Sequence, residues 1–412
     1  MNKWLNRIAA LLTPRRIRAH AWILVFCLWG VCILDYARPG LFDRAGNIKF
    51  QDFLQFPISA QLISHGRAND LYNDQVLTQA VQKISGSTEV ELKYFYGPQV
   101  ALPFLPLARF SFLTQAAIWV VLSLLIYFVC VGSVFTSCTA LNGKLGLVLL
   151  CAIAYPPLFH FFVRGQVSAV PLLVITASYF ALRAEREWLS GIILGLLVFK
   201  PQFLVAIPFV LVFARAWKIF TGLVLSVVAQ LVLTYLYFGR AVMRAYFTML
   251  LHSASRPGST ELVLSATQMH SFYSFWELLI HWSPAVSVLY LLSTIAIIAL
   301  AAVVWRSAVP LALRFSALLL AAVLANPHIY IYDLLVLAPV FLLLADWSIE
   351  NAGHPETPAL RLLLYLMFLL PLFGPLSRWT HLQLSVIVFV ALVWTIHRIA
   401  TTGHKLALAE SP

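Results

Sequence analysis

SFLTQAAIWVVLSLLIYFVCVGSVFT, residues 111–136, contains no Asp, Glu, Lys or Arg. A helix needs roughly 20 apolar residues to cross the hydrocarbon core of a bilayer, and this stretch supplies them without interruption. Outward from it, similar runs recur at about 18–36, 145–163, 166–183, 188–200, 202–214, 217–238, 284–305, 308–325, 331–346, 358–376 and 381–397. Some are short or run into each other, notably at Lys200-Pro201. The expected architecture is an all-α polytopic membrane protein of ten to twelve spans, with twelve the best count.

Composition agrees. Of 412 residues, 61% are hydrophobic and only 11% charged, and the mean hydropathy is +0.87. An average soluble domain is about a quarter charged, so too few charges are present to build a water-facing surface. A soluble enzyme, a disordered chain and a nucleic-acid-binding domain are excluded. The net charge of +12 comes from 28 Lys and Arg scattered between apolar runs, where they suit loop anchors and contacts with membrane lipids. Cys27, Cys32, Cys130, Cys138 and Cys151 lie in or beside those runs with no C-x-x-C pair. Neither a disulfide framework nor a metal site is expected from them.

The N-terminus carries Lys3, Arg7, Arg15, Arg16 and Arg18 ahead of the first span, and no small-residue cleavage site follows. It reads as an uncleaved span on a basic cytoplasmic foot. Alternate short connections then hold Lys144, Arg183 with Arg186, Arg215 with Lys218, Arg306, and Arg398 with Lys405. The positive-inside rule places these loops and both termini in the cytoplasm of a cell-membrane protein. One segment on that side, 346–357, runs the other way with Asp346, Glu350 and Glu356 and no Lys or Arg.

Two long polar segments, 37–110 and 239–283, fall on the outer, periplasmic side. In the first, Phe53, Phe56, Ala60 and Ile63 recur at helical spacing, which predicts an amphipathic helix at the interface. Asn69-Asp70-Leu71-Tyr72 predicts the start of a second short helix. No repeat or linker divides the chain, so residues 1–412 read as one domain.

The polar residues that break apolar context gather on that outer side: Asp52, Arg164 with Gln166, Lys200, Arg256, His270, and the stretch from Asn326 through His328 to Asp333. Ionisable groups at membrane depth point to function. Each has a plainer reading too. Asp52 could favour the positive end of its helix, and Asp333 could cap the tenth span. Lys200 could snorkel and Arg164 could anchor at the headgroups, while His270 and His328 could be packed histidines. Pro201, however, opens backbone polar groups beside Lys200, which lipid does not tolerate. No G-x-G-x-x-G, P-loop, G-x-S-x-G, H-E-x-x-H or Asp-x-Asp is present, so a metal-held sugar-nucleotide donor has no support. A carboxylate base beside phosphate-binding cations suits attack by a hydroxyl on a sugar whose leaving group is a phosphate.

Several short motifs run in order over residues 51–340. They are Gln51-Asp52-Phe53 through Ala60, His65-Gly66 with Leu71-Tyr72, and Tyr96-Gly97-Pro98 with Leu105-Pro106-Leu107. Gly165-Gln166-Val167-Ser168, then Ser190-Gly191 with Phe199-Lys200-Pro201, Met269-His270-Ser271, and Asn326-Pro327-His328 with Tyr332-Asp333-Leu334 complete the set. Together they resemble the polyprenyl-phosphate-dependent mannosyltransferases of glycosyltransferase family 87, in the GT-C class, with Gly97 departing from that family's usual Pro.

The resemblance implies a GT-C-type bundle with no cofactor that moves a hexose, mannose by family, from a polyprenyl-phosphate sugar to a lipid or glycan hydroxyl with inversion. Asp52 would be the base. Lys200 and Arg164 would neutralise the lipid phosphate, with Gln166, His328, Asp333, His270 and Arg256 binding sugar or phosphate. Two rival readings stay open: a transporter or flippase for a lipid-linked sugar, and an O-antigen-type polymerase or ligase. The first predicts charges near the bilayer midplane and two similar halves; the second predicts reliance on Arg and His without an early carboxylate.

Overall fold

The computed structural model describes residues 3–86, 90–255, 266–280 and 282–409. These residues are mostly helical, with two isolated β-bridges, Phe42 to Ile48 and Met269 to Tyr330. A short helix α1 (Lys3–Leu11) leads into α2 (Pro14–Tyr36), whose N-terminus is capped by Thr13 with Pro14 at its first turn. The first long loop carries α3 (Gln55–Ser64) and α4 (Asp74–Ser85). Then come α5 (Phe112–Thr136), α6 (Leu145–Ala154), α7 (Pro156–Arg164), α8 (Ala169–Arg183), α9 (Glu187–Gly195) and α10 (Ile207–Phe213). The long α11 (Trp217–Ser255) breaks at Gly239, where φ is 78° and ψ 176°. After it follow α12 (Phe272–Leu279), α13 (Ser283–Arg306), α14 (Leu311–Ala325), α15 (Ala338–Glu350), α16 (Thr357–Leu369), α17 (Ser377–Thr380) and α18 (Leu384–Ala409).

The count of spans differs from the sequence expectation. Seven helices are long and apolar enough to cross a membrane, or eight if α6 and α7, bent by 50° at Tyr155-Pro156, form one span. The other four apolar runs give shorter helices, Ala169–Arg183, Glu187–Phe199, Pro201–Phe213 and Leu311–Ala325. At 1.5 Å per residue the longest of these extends only about 22 Å. All four are cut short at the same end of the bundle, at Ser168, at Lys200-Pro201 and at Asn326. Their helical ladders stop where protein, not lipid, receives the freed backbone: Ser168, Lys200 and Asn326 are all buried.

Helix α9 sets the depth at which one of these breaks falls. A Cβ on Gly191 would lie 2.0 Å from the carbonyl oxygen of Ile219 on α11, one on Gly195 would lie 2.5 Å from the Ser226 Cβ, and one on Gly222 would lie 2.5 Å from the Trp188 carbonyl oxygen. Backbone meets backbone, as small-xxx-small pairs allow between membrane helices. The Gln230 amide adds a hydrogen bond to the Gly195 carbonyl at 3.0 Å. So fixed, α9 delivers Lys200 to the end of its run.

The first loop corrects two further expectations. Asp52 lies in a 3-10 turn, Gln51–Leu54, ahead of the helix rather than within it. Helix α3 is also not an amphipathic surface helix: Phe56, Ile58, Ser59 and Ala60 are all buried, and Gln55 is too. The turn Pro98–Leu107 packs on the Phe53 and Phe56 side, with the Phe104 ring 5.6 and 5.0 Å from theirs. The amphipathic element is α4, which buries Leu77 and Val81 and starts at the Asn73 cap, four residues after Asn69.

At the opposite end, the acidic segment is consumed by anchors. Asp346 accepts from the Leu141 and Thr139 amides at 2.9 and 3.2 Å. Glu356 pairs with Arg398 at 2.8 Å.

Candidate active site

The site begins with a backbone conformation. Phe50, at φ 56°, turns the chain into the 3-10 turn that carries Asp52. Phe53 is fully buried and packs against Phe56, Phe104, Phe112 and Trp119, with ring centroids 5.6 to 6.3 Å apart. Against this turn docks the C-terminus of α7. Gly165 there has φ 68°, and a Cβ on it would stand 2.9 Å from the Phe53 Cβ and 3.0 Å from that of Phe50. Only glycine serves both demands. Arg164 and Gln166, on either side of it, are thereby aimed at Asp52.

The Asp52 carboxylate accepts from the Gln166 amide, Nε2 to Oδ2, at 2.7 Å, and faces Arg164 Nη1 at 3.7 Å from Oδ1. Gln166 has no freedom to turn its oxygen inward. Its Oε1 accepts from the Tyr96 hydroxyl at 3.2 Å, and Trp119 Nε1 donates to its backbone carbonyl at 3.1 Å. Burial holds the Tyr96 phenol well above the ordinary tyrosine range, so it remains a donor. Asp52 keeps 24% of its side chain open and Arg164 keeps 44%. Burial around the carboxyl raises the Asp52 pKa above the usual carboxylate range, and Arg164 and the Gln166 hydrogen bond oppose that rise.

Beneath lies a second, sealed pair. Lys200 and Asp333 form an ion pair with both side chains 3% exposed. Ser168 donates a further hydrogen bond to Asp333 Oδ1 at 2.7 Å. The Lys200 ammonium sits 5.8 to 5.9 Å from the ring centroids of Tyr96, Phe203 and Tyr332. This aromatic cage adds cation–π attraction to the pair. Tyr332 in turn stacks on Tyr330, 5.4 Å between centroids. The polar group Asp52, Arg164, Gln166, Ser168, Lys200 and Asp333 thus comes from four separate segments, and its four formal charges balance.

The two histidines lie apart from this group. The His270 backbone amide donates to the Ile329 carbonyl at 3.0 Å, and its Nδ1 shares a 2.7 Å hydrogen bond with Ser385 Oγ. Burial, and then the neighbouring His160, push the His270 pKa down to about 3, so the ring is neutral, and its Nε2 is buried without a partner. His328 is half-buried in the next loop, its amide donating to Asn326 Oδ1 at 2.9 Å. Among the described residues neither ring is hydrogen-bonded to Asp52, Arg164, Lys200 or Asp333. Arg256 lies outside the described residues. At Gly97, φ of −59° and ψ of 148° are values a proline would adopt, but a Cβ there would lie 2.4 Å from Gln99 Oε1, so a proline would displace that side chain.

Sequence reasoning did not single out Tyr96, Ser168 or Trp119 as site residues. Tyr96 and Ser168 belong to motifs quoted above without a role assigned to them, and Trp119 lies in an unbroken apolar run with nothing to mark it.

The sequence profile of glycosyltransferase family 87 matches residues 94–327, more than half of the chain. No curated protein and no solved structure matches the chain.

Proposed function

The chain belongs to glycosyltransferase family 87, and from that premise we propose that it moves a hexose, mannose by family resemblance, from a polyprenyl-phosphate donor to a lipid or glycan hydroxyl. The acceptor hydroxyl loses its proton to Asp52. Its oxygen then forms a bond to the anomeric carbon as the bond from that carbon to the phosphate oxygen breaks, with inversion, and polyprenyl phosphate departs. The observation that carries this reading is an open carboxylate with a raised pKa, held at 2.7 Å by an amide whose orientation is fixed. General bases work best when their pKa lies near the operating pH.

Charge balance assigns the cations different work. The charge of Lys200 is largely committed to Asp333, whereas Arg164 is half exposed and only 3.7 Å from one Asp52 oxygen. Arg164 is therefore the group that turns to an arriving donor phosphate, and its departure leaves Asp52 a stronger base. Lys200 adds its field from below as negative charge grows on the leaving phosphate. Gln166 and Asp333 hold this arrangement, and by family resemblance His270, His328 and Arg256 bind sugar or phosphate. The bundle end carrying Asp52 faces the outside of the cell membrane, since the basic short loops lie at the other end.

The test is incubation of the purified protein with radiolabelled polyprenyl-phosphate hexoses and membrane lipid extract. A labelled glycolipid or glycan that depends on both is the expected result. Turnover of nucleotide sugars instead would refute the reading.

A further inference from the structure

The end of the bundle opposite Asp52 holds a cavity of about 360 Å³. Arg314, Lys218, Glu185 and Glu187 line it, with Trp305 and Ile219 among its apolar walls. Arg314 is the anomaly. Its side chain is half-buried, its Nε is sealed from solvent with no partner, and among the described residues no carboxylate or carbonyl meets the guanidinium. It also stands in the first turn of α14, where the helix dipole disfavours a cation. Lowered hydration, a missing counter-ion and an adverse dipole all act in the same direction. An anion seated against Arg314 would relieve all three.

Which anion follows from the rest of the cavity. Glu187 engages Lys218 at 3.4 Å across the rim, both largely exposed, and Glu185 lies beside them. The cavity thus offers a cation for a phosphate and carboxylates for an ammonium a few bonds away. Trp188 and Trp217 are exposed at the same end, where indole rings mark the headgroup level of a bilayer. We infer that this cavity binds the headgroup of an aminophospholipid, its phosphodiester on Arg314 and its primary amine on Glu185 and Glu187. The site is separate from the transferase site, so its failure would leave the proposed reaction untouched.

Thermal unfolding of the full-length protein in neutral detergent tests this, with phosphatidylethanolamine, phosphatidylcholine, phosphatidylglycerol or inorganic phosphate titrated in. Phosphatidylethanolamine should stabilise at the lowest concentration, because choline cannot donate hydrogen bonds to the carboxylates. Arg314→Gln should raise its half-saturation about tenfold or more, the range for a lost charge-assisted hydrogen bond. The double variant Glu185→Gln, Glu187→Gln changes only exposed side chains and serves if Arg314→Gln folds poorly. It should bind phosphatidylethanolamine no better than phosphatidylcholine. Unchanged lipid response in Arg314→Gln, retained ethanolamine preference in the double variant, or equal stabilisation by inorganic phosphate would each overturn the assignment.

Discussion

Gln166 Nε2 donates to Asp52 Oδ2 at 2.7 Å across a sequence separation of 114 residues, while the far side of the same amide is held by Tyr96. The carboxylate therefore meets an N–H and never a carbonyl. Hydrogen bonds to charged groups contribute about 1.5–3 kcal/mol. Gln166→Leu is expected to lower turnover by roughly ten- to a hundredfold on that scale. Gln166→Glu should be worse, because it sets a second carboxylate against Asp52. Steady-state kinetics on folded variants checks both.

Arg164 opposes the rise in the Asp52 pKa that burial causes. With Asp52 as the proposed base, activity needs the charged carboxylate, so it should fall as pH drops through that pKa, at values above the ordinary 3.9 or so of aspartate. Arg164→Gln removes the opposing charge, and the Asp52 pKa rises further. The acid limb of the rate profile should move to higher pH, and the donor KM should increase. A pH–rate series on wild type and variant reads both effects, and an unmoved acid limb would separate Arg164 from Asp52.

The Lys200–Asp333 pair gives a stability prediction. Removing one member of a buried ion pair leaves the other charged and unpaired, at a cost of about 3–5 kcal/mol. Lys200→Met and Asp333→Leu should each unfold at markedly lower temperature. The double variant should recover most of that loss, since apolar replacements of a buried pair are often neutral. It should stay inactive, because the field beneath the phosphate is gone. A double-mutant cycle by thermal unfolding, with turnover measured alongside, decides.

The polar residues that gather around Asp52 were legible one by one as candidates, and their partnerships were not. Asp52, Gln166, Lys200 and Asp333 each interrupt apolar sequence, and polarity at membrane depth is a signal that one sequence carries. That Lys200 meets Asp333, 133 residues away, depends on α8, α9 and α14 all ending at one depth. The glycines that fix that depth, Gly191, Gly195 and Gly222, look the same in a sequence whether they pack or not. The misreading of α3 has a similar cause. Phe53, Phe56, Ala60 and Ile63 keep a helical period, but Gln55 and Ser59, off that stripe, are buried as well. Periodicity reports one face and is silent about what covers the other.

The orientation proposed from charge bias puts the Asp52 end outside. In a background lacking the exposed Cys27, a cysteine at Ser64 should react with an impermeant maleimide on intact cells or spheroplasts. Both Ser64 and Asn142 are exposed, at opposite ends of the bundle, and Asn142→Cys should react only after permeabilisation. The reverse pattern would turn Asp52 to the cytoplasm and favour a nucleotide-sugar donor.

Asp52→Asn separates a base from a structural carboxylate. The Asn side-chain oxygen can still accept from Gln166, and its amide would face Arg164 across a contact that is already loose at 3.7 Å. The fold and donor binding should therefore survive. What is lost is a proton acceptor, which contributes typically about 10² to 10⁴-fold. Transfer should drop by that factor while binding of the donor lipid changes little. Asp52→Glu should be weak yet measurable, since the longer arm misplaces the carboxylate by about 1 Å, a displacement that can cost on the order of 10²-fold. The neighbouring carboxylates are poorly placed to substitute. Asp70 pairs with Arg67 at 2.7 Å on the surface, and Asp333 is sealed against Lys200 and Ser168. Retention by Asp52→Asn of more than about a tenth of wild-type turnover, well outside the range for a lost base, would show that the acceptor proton leaves by another route.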